Sequence, residues 1–215
     1  MSDSFGQPRS KRAVLVVAAA IWLIAAGVGM KVVLDYQVAA GVAAQPPEAW
    51  PVASEIPRTE GKFSLLLIAH PQCPCTRASL DELAGIMART EGALEVSVLF
   101  VVPPGLDASW ADTDLWRTAS SLPGVHVALD RGGAESRRFG VATSGQVLLY
   151  DPGGRLRFAG GITPGRGHAG DNAGREAVEA AVALGRSATK TKPVDTPVFG
   201  CALAAAQGQP GEDGK

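Results

Sequence analysis

Two cysteines, two prolines and a histidine lie within eight residues, HPQCPCTR at positions 70–77, and the cysteines and the histidine can do thiol chemistry. Pro74 lacks a backbone N–H and is favoured at the first position of a helix, which makes Cys73 the predicted N-cap residue. The positive end of the helix dipole favours a thiolate, and such a position often depresses a cysteine pKa. We therefore expect Cys73 to be an exposed nucleophile, with Cys75 one step inside the helix.

The third cysteine, Cys201, closes the segment PVFGC at positions 197–201. An extended chain covers about 3.3 Å per residue, so the stretch between the last predicted helix and Cys201 is long enough to return to the edge that carries the first two cysteines. Cys201 can then be a resolving or pairing residue, or an idle thiol. A Cys73–Cys75 disulfide would instead close a tight ring containing a proline, and strain would make it easy to reduce. The sequence leaves both pairings open.

Three charged or titratable side chains could support the thiols. Arg77, one turn into the predicted helix, could add positive charge. The Gly-rich loop 160–172 should leave the sheet edge where that helix begins, which would bring Arg166 and His168 near the sulfurs. A histidine there could relay a proton or bind a metal.

Composition excludes several classes of function. The chain has 215 residues, a formal net charge of -1 and a pI of about 6.3, so no basic field recruits nucleic acid. It also has no phosphate loop of the form Gly-x-x-x-x-Gly-Lys. An odd count of three cysteines, with two close together, fits a reactive site better than a disulfide framework.

An apolar run near the start predicts a membrane anchor. The eighteen residues Ala13–Met30 carry no charge, and a bilayer is crossed by about 20 apolar residues. Basic residues precede the run, so residues 1–12 should be cytoplasmic, residues 13–34 transmembrane and the remainder outside the cytoplasm. The predicted location is a bacterial-type inner (plasma) membrane, single-pass, with the domain facing the periplasm or cell exterior. A cleaved signal peptide is the alternative.

The rest of the chain divides by composition. Residues 35–61, rich in proline and alanine, are predicted to be a linker, with edge-strand packing of part of it as the alternative. Residues 62–201 form the predicted domain, and the small, polar residues 202–215 a flexible tail. The predicted strands are Phe63–Ala69, Leu94–Val102, Val125–Leu129, Gln146–Asp151 and Arg155–Ala159. The predicted helices are Pro74–Arg89, Asp112–Ser121, Ala134–Phe139 and Ala173–Leu184.

This order of elements predicts an α/β domain of three layers, with a mixed sheet covered by helices on both faces. It resembles the thioredoxin fold, most specifically in the cysteine-bearing helix start and in the segment FGVATSGQVLLYDPGGR at 139–155. The chain looks most like the membrane-anchored redoxins described as RedB-like. The resemblance implies a thiol–disulfide oxidoreductase without a cofactor, acting on protein thiols or disulfides outside the cytoplasm.

The site departs from the thioredoxin pattern in two places. The family carries Cys-X-X-Cys, whereas here the spacing is Cys-X-Cys and Thr76 stands in the place of the second cysteine. Ser144 stands where the family has a cis-proline opposite the thiol, which puts the usual docking of an extended peptide in doubt. The supporting residues suggested by motif and resemblance together are His70, Pro74, Thr76, Arg77, Ser144, Arg166 and His168.

Two other functions fit the same residues. Cys73 and Cys75, joined by His70 or Cys201, could bind Cu(I) or Zn(II), as in a copper-handling role like that of the Sco proteins. The Sco proteins, however, carry Cys-X-X-X-Cys. The second is a peroxidase of the peroxiredoxin kind. The sequence argues against it, because His70 stands three residues before Cys73, where that family has a threonine.

Overall fold

A computed structural model describes residues 9–185 and 192–203, and the chain divides after Ala39 into two units. The first contains one helix, α1 (Arg9–Gln37). Within it, residues 11–37 are long and apolar enough to cross a membrane, with a mean hydropathy of 2.5. This agrees with the expected apolar helix by length and composition, a criterion that a signal sequence also meets.

The second unit is a mixed sheet with helices on both faces. Its described strands are β1 (Phe63–Ala69), β2 (Leu94–Val102), β3 (Val125–Arg131), β4 (Gln146–Tyr150), β5 (Leu156–Gly161) and β6 (Val194–Asp195). Its described helices are α2 (Pro74–Arg89), α3 (Asp114–Ser121), α4 (Ala134–Arg138) and α5 (Ala173–Leu184), with a 3-10 turn at Ala108–Ala111. The strand order is β3-β2-β1-β4-β5-β6. β1 pairs in parallel with β2 and antiparallel with β4, which places it at the centre.

The apolar sequence of β1 follows from this central position. All seven of its residues are buried, because β2 and β4 pair with its two edges and side chains of other elements pack against both of its faces. Leu65 and Leu67 point to a cluster that includes Leu83 of α2, whereas Leu66 and Ile68 point to a second cluster on the other face. The strand period of two thus divides one continuous apolar run between two cores.

The element bounds predicted for β1, α2, β2 and α5 agree with the structure. The predicted helix 112–121 was too long at its start, because a 3-10 turn ends at Ala111 and Thr113 caps α3 by accepting from the N–H of Trp116. Strand β6 was missed. It has two residues, too short for an alternating pattern.

The predicted linker 35–61 is wrong for the part that follows residue 39, since that part packs on the domain. The N–H of Gln45 donates to the carbonyl of Gly140 at 3.0 Å, and that of Trp50 to Gly154 at 2.8 Å. The Trp50 ring lies edge-on to two buried rings, with centroid distances of 5.0 and 5.1 Å. The prolines of this segment prevent a helix, but they do not prevent the segment from packing on the domain in an extended conformation.

The predicted domain boundary at residue 201 is also too early. Leu203 is fully buried in the second core cluster, and Ala202 forms an antiparallel bridge with Thr143. The domain therefore includes both residues. The remainder of the predicted tail, residues 204–215, lies outside the described residues.

Candidate active site

The three cysteines meet at the start of α2. Cys73 is the N-cap residue, with extended backbone angles of φ -91° and ψ 121°, and Pro74 follows in the first turn as predicted. The expectation that Cys73 is exposed is wrong, because only 1% of its surface is accessible. Its Sγ lies 2.9 Å from the Sγ of Cys201, which comes from 128 residues further along the chain and covers it. Both cysteines are free.

Main-chain hydrogen bonds hold Cys201 in place. We call residues 197–203 the C-terminal strap. The N–H of Ser144 donates to the carbonyl of Cys201 at 2.8 Å, and the N–H of Leu203 donates to the carbonyl of Ala142 at 2.8 Å. These two bonds join the strap antiparallel to the residues just before β4.

Close approach of the strap requires a glycine at position 200. A Cβ on Gly200 would lie 1.8 Å from the carbonyl oxygen of Ser144, which no real Cβ contact tolerates. Arg166 also fixes this point, because its Nη1 donates to the carbonyl of Gly200 at 2.7 Å. Loop 160–172 therefore reaches the site, as expected for Arg166, whose contact there is with the carbonyl of Gly200 in the strap.

The three thiols differ in acidity. Burial raises the pKa of Cys73, but hydrogen bonds from the thiol and N–H of Cys201 and the N–H of Cys75 outweigh it, so the pKa is lowered. The sulfur of Cys73 accepts no N-cap hydrogen bond of normal geometry from the N–H groups of α2. Burial and the neighbouring Cys73 raise the pKa of Cys201 to about 12. The pKa of Cys75 is also raised, mainly by burial and by the charge of Cys73, although Gly167 and Arg166 partly oppose this. Cys73 is therefore the first thiol to ionise.

Ser144 and Thr76 form a buried hydroxyl pair beneath the site. The Oγ of Ser144 accepts from the N–H of His70 at 2.9 Å and lies 3.2 Å from the Oγ1 of Thr76. Thr76 in turn donates to the carbonyl of His70 at 3.1 Å. Both hydroxyl residues are completely buried. The pair ties the cysteine loop to the residues that bind the strap.

The contacts of His70 hold the local structure before Cys73. Its Nδ1 accepts from the N–H of Gln72 at 3.1 Å, and its ring lies edge-on to Trp110 with centroids 5.9 Å apart. Partial burial lowers its pKa, which favours the neutral ring. The histidine thus shapes the turn before Cys73.

Two other predicted supporting residues have their contacts elsewhere. Arg77 is exposed and forms an ion pair with Asp114 at the start of α3. His168 is exposed, and its Nδ1 contacts the carbonyl of Arg166 at 2.7 Å. Of the two residues expected from loop 160–172, Arg166 is the one brought to the thiols.

Sequence reasoning missed Glu82, a buried carboxylate on α2. It accepts from the N–H of Gly170 at 2.5 Å and from the Nη1 of Arg175 at 2.9 Å. Arg175 also binds Asp171 at 2.7 Å. These contacts fix the end of the loop that carries Arg166. An acidic residue next to the apolar stripe of α2 was the available signal.

Within residues 9–185 and 192–203, no group of three or more His, Cys, Asp or Glu side chains is arranged to hold a metal ion. Neither three-ligand set expected from Cys73 and Cys75, with His70 or with Cys201, is therefore assembled among these residues. The adjacent pair of sulfurs is Cys73 and Cys201.

No protein-family model matches the sequence, and no curated protein sequence matches it significantly. Solved structures match its fold. An uncharacterized conserved protein from Geobacillus kaustophilus has a TM-score of 0.55 at 13% identity, over 76% of this chain and 90% of its own. A hypothetical protein from Sinorhizobium meliloti has a TM-score of 0.52 at 18% identity, over 78% and 95%. At a TM-score of 0.43 and 17% identity, a secreted disulfide oxidoreductase of Mycobacterium tuberculosis matches over 58% and 83%.

These identities are low, and they show a shared fold alone. Together with the order and directions of the strands, they confirm the predicted class, an α/β domain with a thioredoxin-like mixed sheet.

Proposed function

We propose that the protein is a thiol–disulfide oxidoreductase in which Cys73 is the nucleophile and Cys201 the resolving cysteine. The observation that carries the proposal is the distance of 2.9 Å between their Sγ atoms. A disulfide bond is about 2.05 Å long, so an approach of about 1 Å would join them. The opposite directions of their pKa shifts support the two roles.

The proposed reaction is a pair of exchanges. The Cys73 thiolate attacks one sulfur of a partner disulfide, forms a mixed disulfide and releases the partner's other sulfur as a thiolate, which takes up a proton. Cys201 then loses its proton and attacks the Sγ of Cys73. The mixed disulfide breaks, a Cys73–Cys201 disulfide forms and the partner leaves as a dithiol. The partner gains two electrons, and the same steps run in reverse with an oxidised protein and a dithiol partner.

Cys75 has a subordinate role in this proposal. The pKa of Cys75 is raised, as that of Cys201 is, so acidity does not separate the two thiols. Cys201 is the one whose Sγ lies 2.9 Å from that of Cys73. Cys75 also shares a tight Cys-Pro-Cys turn with Cys73, where a disulfide would be strained. Its effect is on the ionisation of Cys73, because hydrogen bonds from both its N–H and its thiol lower the pKa of Cys73.

We also propose that α1 anchors the domain to a membrane, with the domain outside the cytoplasm, as in RedB-like redoxins. The length and apolar composition of residues 11–37 support the anchor, and the basic residues before it support the orientation. Partners would be protein thiols or disulfides, which persist in such compartments. Resistance to alkaline extraction from membranes, together with cleavage of the domain by protease added outside spheroplasts, would support this. Release by alkali would contradict it.

An exchange assay tests the function. The full-length protein in detergent is mixed with a fluorescent peptide that contains an intramolecular disulfide, and reactions are quenched with acid. Cys73→Ser should abolish reduction of the peptide. Cys201→Ser should accumulate a mixed disulfide on Cys73, and reduced Cys75→Ser should still reduce one equivalent of the peptide. Full activity of Cys73→Ser would contradict the proposal.

Copper handling is the second candidate, and the adjacent thiols of Cys73 and Cys201 are the observation that favours it. Thiolates suit Cu(I). Competition with a Cu(I) chelator, on wild type and the same three variants, distinguishes the two functions. One-to-one Cu(I) binding that needs Cys73 and Cys201, without exchange activity, would replace the oxidoreductase proposal.

A further inference from the structure

The C-terminal strap blocks the cysteine that should attack first. Cys73 is almost completely buried, whereas Cys201, which lies on it, is partly exposed. Thiol–disulfide exchange needs direct contact between the attacking sulfur and the partner disulfide. A partner therefore cannot reach Cys73 while the strap keeps the position seen here.

The strap is held by contacts that another polypeptide could make. Ser144 donates to one strap carbonyl, and Ala142 accepts from one strap N–H, in an antiparallel bridge centred on Thr143 and Ala202. Main-chain bonds of this kind do not depend on side-chain identity, apart from the glycine that the close approach requires at position 200. An extended segment with a cysteine in the register of Cys201 would place its sulfur against Cys73.

We propose that the strap is a removable internal occupant of this edge, residues 142–144, and that an extended, cysteine-bearing segment of the partner protein displaces it. This inference rests on the proposed function. Cys201 then has two tasks. It covers Cys73 before the reaction, and it returns with the strap to resolve the mixed disulfide.

The bonds formed and broken in the exchange can be followed as the strap leaves and returns. With the strap displaced, Cys73 forms its mixed disulfide with the partner cysteine and the partner's second sulfur leaves as a thiolate. When the strap returns, Cys201 gives up its proton, bonds to the Sγ of Cys73 and breaks the mixed disulfide. The partner cysteine leaves and is protonated. The reduced strap thus protects the thiolate, and the oxidised strap is locked in place.

Gly200 offers a specific way to open the strap. In Gly200→Ala the new methyl group would collide with the carbonyl of Ser144, so the strap cannot keep its close approach. Ala202→Val is the matched control, because the side chain at 202 is exposed in the same strap. Gly200 itself is buried and Ala202 is exposed, so unfolding midpoints must first establish that both variants keep the domain folded.

The experiment uses full-length protein in detergent and a fluorescent peptide whose single cysteine is activated as a thiopyridyl disulfide. Release of thiopyridone reports the attack by Cys73, confirmed by its absence in Cys73→Ser. Gly200→Ala should react about tenfold faster than wild type, the factor that matches loss of one or two main-chain hydrogen bonds. Ala202→Val should react at the wild-type rate. Equal rates for wild type and Gly200→Ala would overturn the proposal.

A second variant separates the possible failures. Leu203→Asp places a charge at the buried end of the strap and releases it by a different route. Unfolding midpoints establish which variants keep the domain folded. If Cys73 attacks the peptide equally fast in wild type and in a folded strap variant, the strap proposal fails and the exchange function stands. If Cys73 does not react in any variant, the proposed function itself fails.

Discussion

The main-chain N–H of Ser144 donates a 2.8 Å hydrogen bond to the carbonyl of Cys201. The hydroxyl of the same serine accepts from the N–H of His70, three residues before Cys73. One residue therefore connects the two segments that carry the adjacent sulfurs. A proline at this position could form neither bond, so the identity of residue 144 has a direct structural consequence.

Ser144→Ala should destabilise the domain while leaving the strap bond intact. The change removes the side-chain acceptor of the His70 N–H, and leaving a buried donor unpaired costs about 1–3 kcal/mol. Urea unfolding of the domain should show this loss. Ser121→Ala removes an exposed hydroxyl and is the control, with an expected change within about 0.5 kcal/mol. Equal effects of the two variants would contradict the role of Ser144.

The reactivity of Cys73 should rise with pH through a midpoint below that of an ordinary thiol. The thiolate is the reactive form, and the pKa of Cys73 is lowered, so the alkylation rate should increase at lower pH than for a free cysteine. Mass spectrometry after timed exposure to iodoacetamide gives this profile. A midpoint above the ordinary thiol value would contradict the assignment of Cys73 as nucleophile.

A matched pair of substitutions at Cys201 tests the cause of that shift. Cys201→Val keeps an apolar cover over Cys73 but removes the hydrogen bond that lowers its pKa, so the midpoint should move to higher pH. Cys201→Ser keeps a donor and should preserve the low midpoint. Identical profiles for the two variants would show that Cys201 does not set the acidity of Cys73.

Trp50→Ala should reduce the stability of the domain although residue 50 lies in the segment predicted to be a linker. Its ring packs against Phe139 and Tyr150, and Arg58 lies 5.1 Å above it. Large aromatic-to-alanine changes in packed sites cost about 3–5 kcal/mol, and partial exposure places this one at the lower end. Fragments beginning at residues 40 and 62 give the companion measurement, and only the longer should reach wild-type stability.

Much of the fold could be predicted because its strongest patterns are local. The run FSLLLIA has the length and composition of a central strand, and Pro74 marks the start of α2. The packing of Trp50 could not be predicted in this way. Prolines indicate that a segment is not helical, but they do not indicate which surface it covers.

The cysteines of the candidate site could be predicted from the sequence, whereas the burial of Cys73 could not. The Cys-Pro-Cys motif identifies Cys73 as the N-cap residue from sequence alone. Cys201, which contacts the sulfur of Cys73, is 128 residues away, and no local pattern indicates the main-chain pairing that brings it there. Glu82 was missed for a similar reason, because its partners lie on loop 160–172 and α5.

The most direct measurement is disulfide mapping by mass spectrometry across a redox titration of the full-length protein. The expected first disulfide is Cys73–Cys201, in wild type and in Cys75→Ser with the same midpoint, and Cys201→Ser should lose that midpoint. If oxidation instead joins Cys73 to Cys75, and Cys201→Ser titrates like wild type, then Cys201 is not the resolving cysteine and the proposed exchange is wrong.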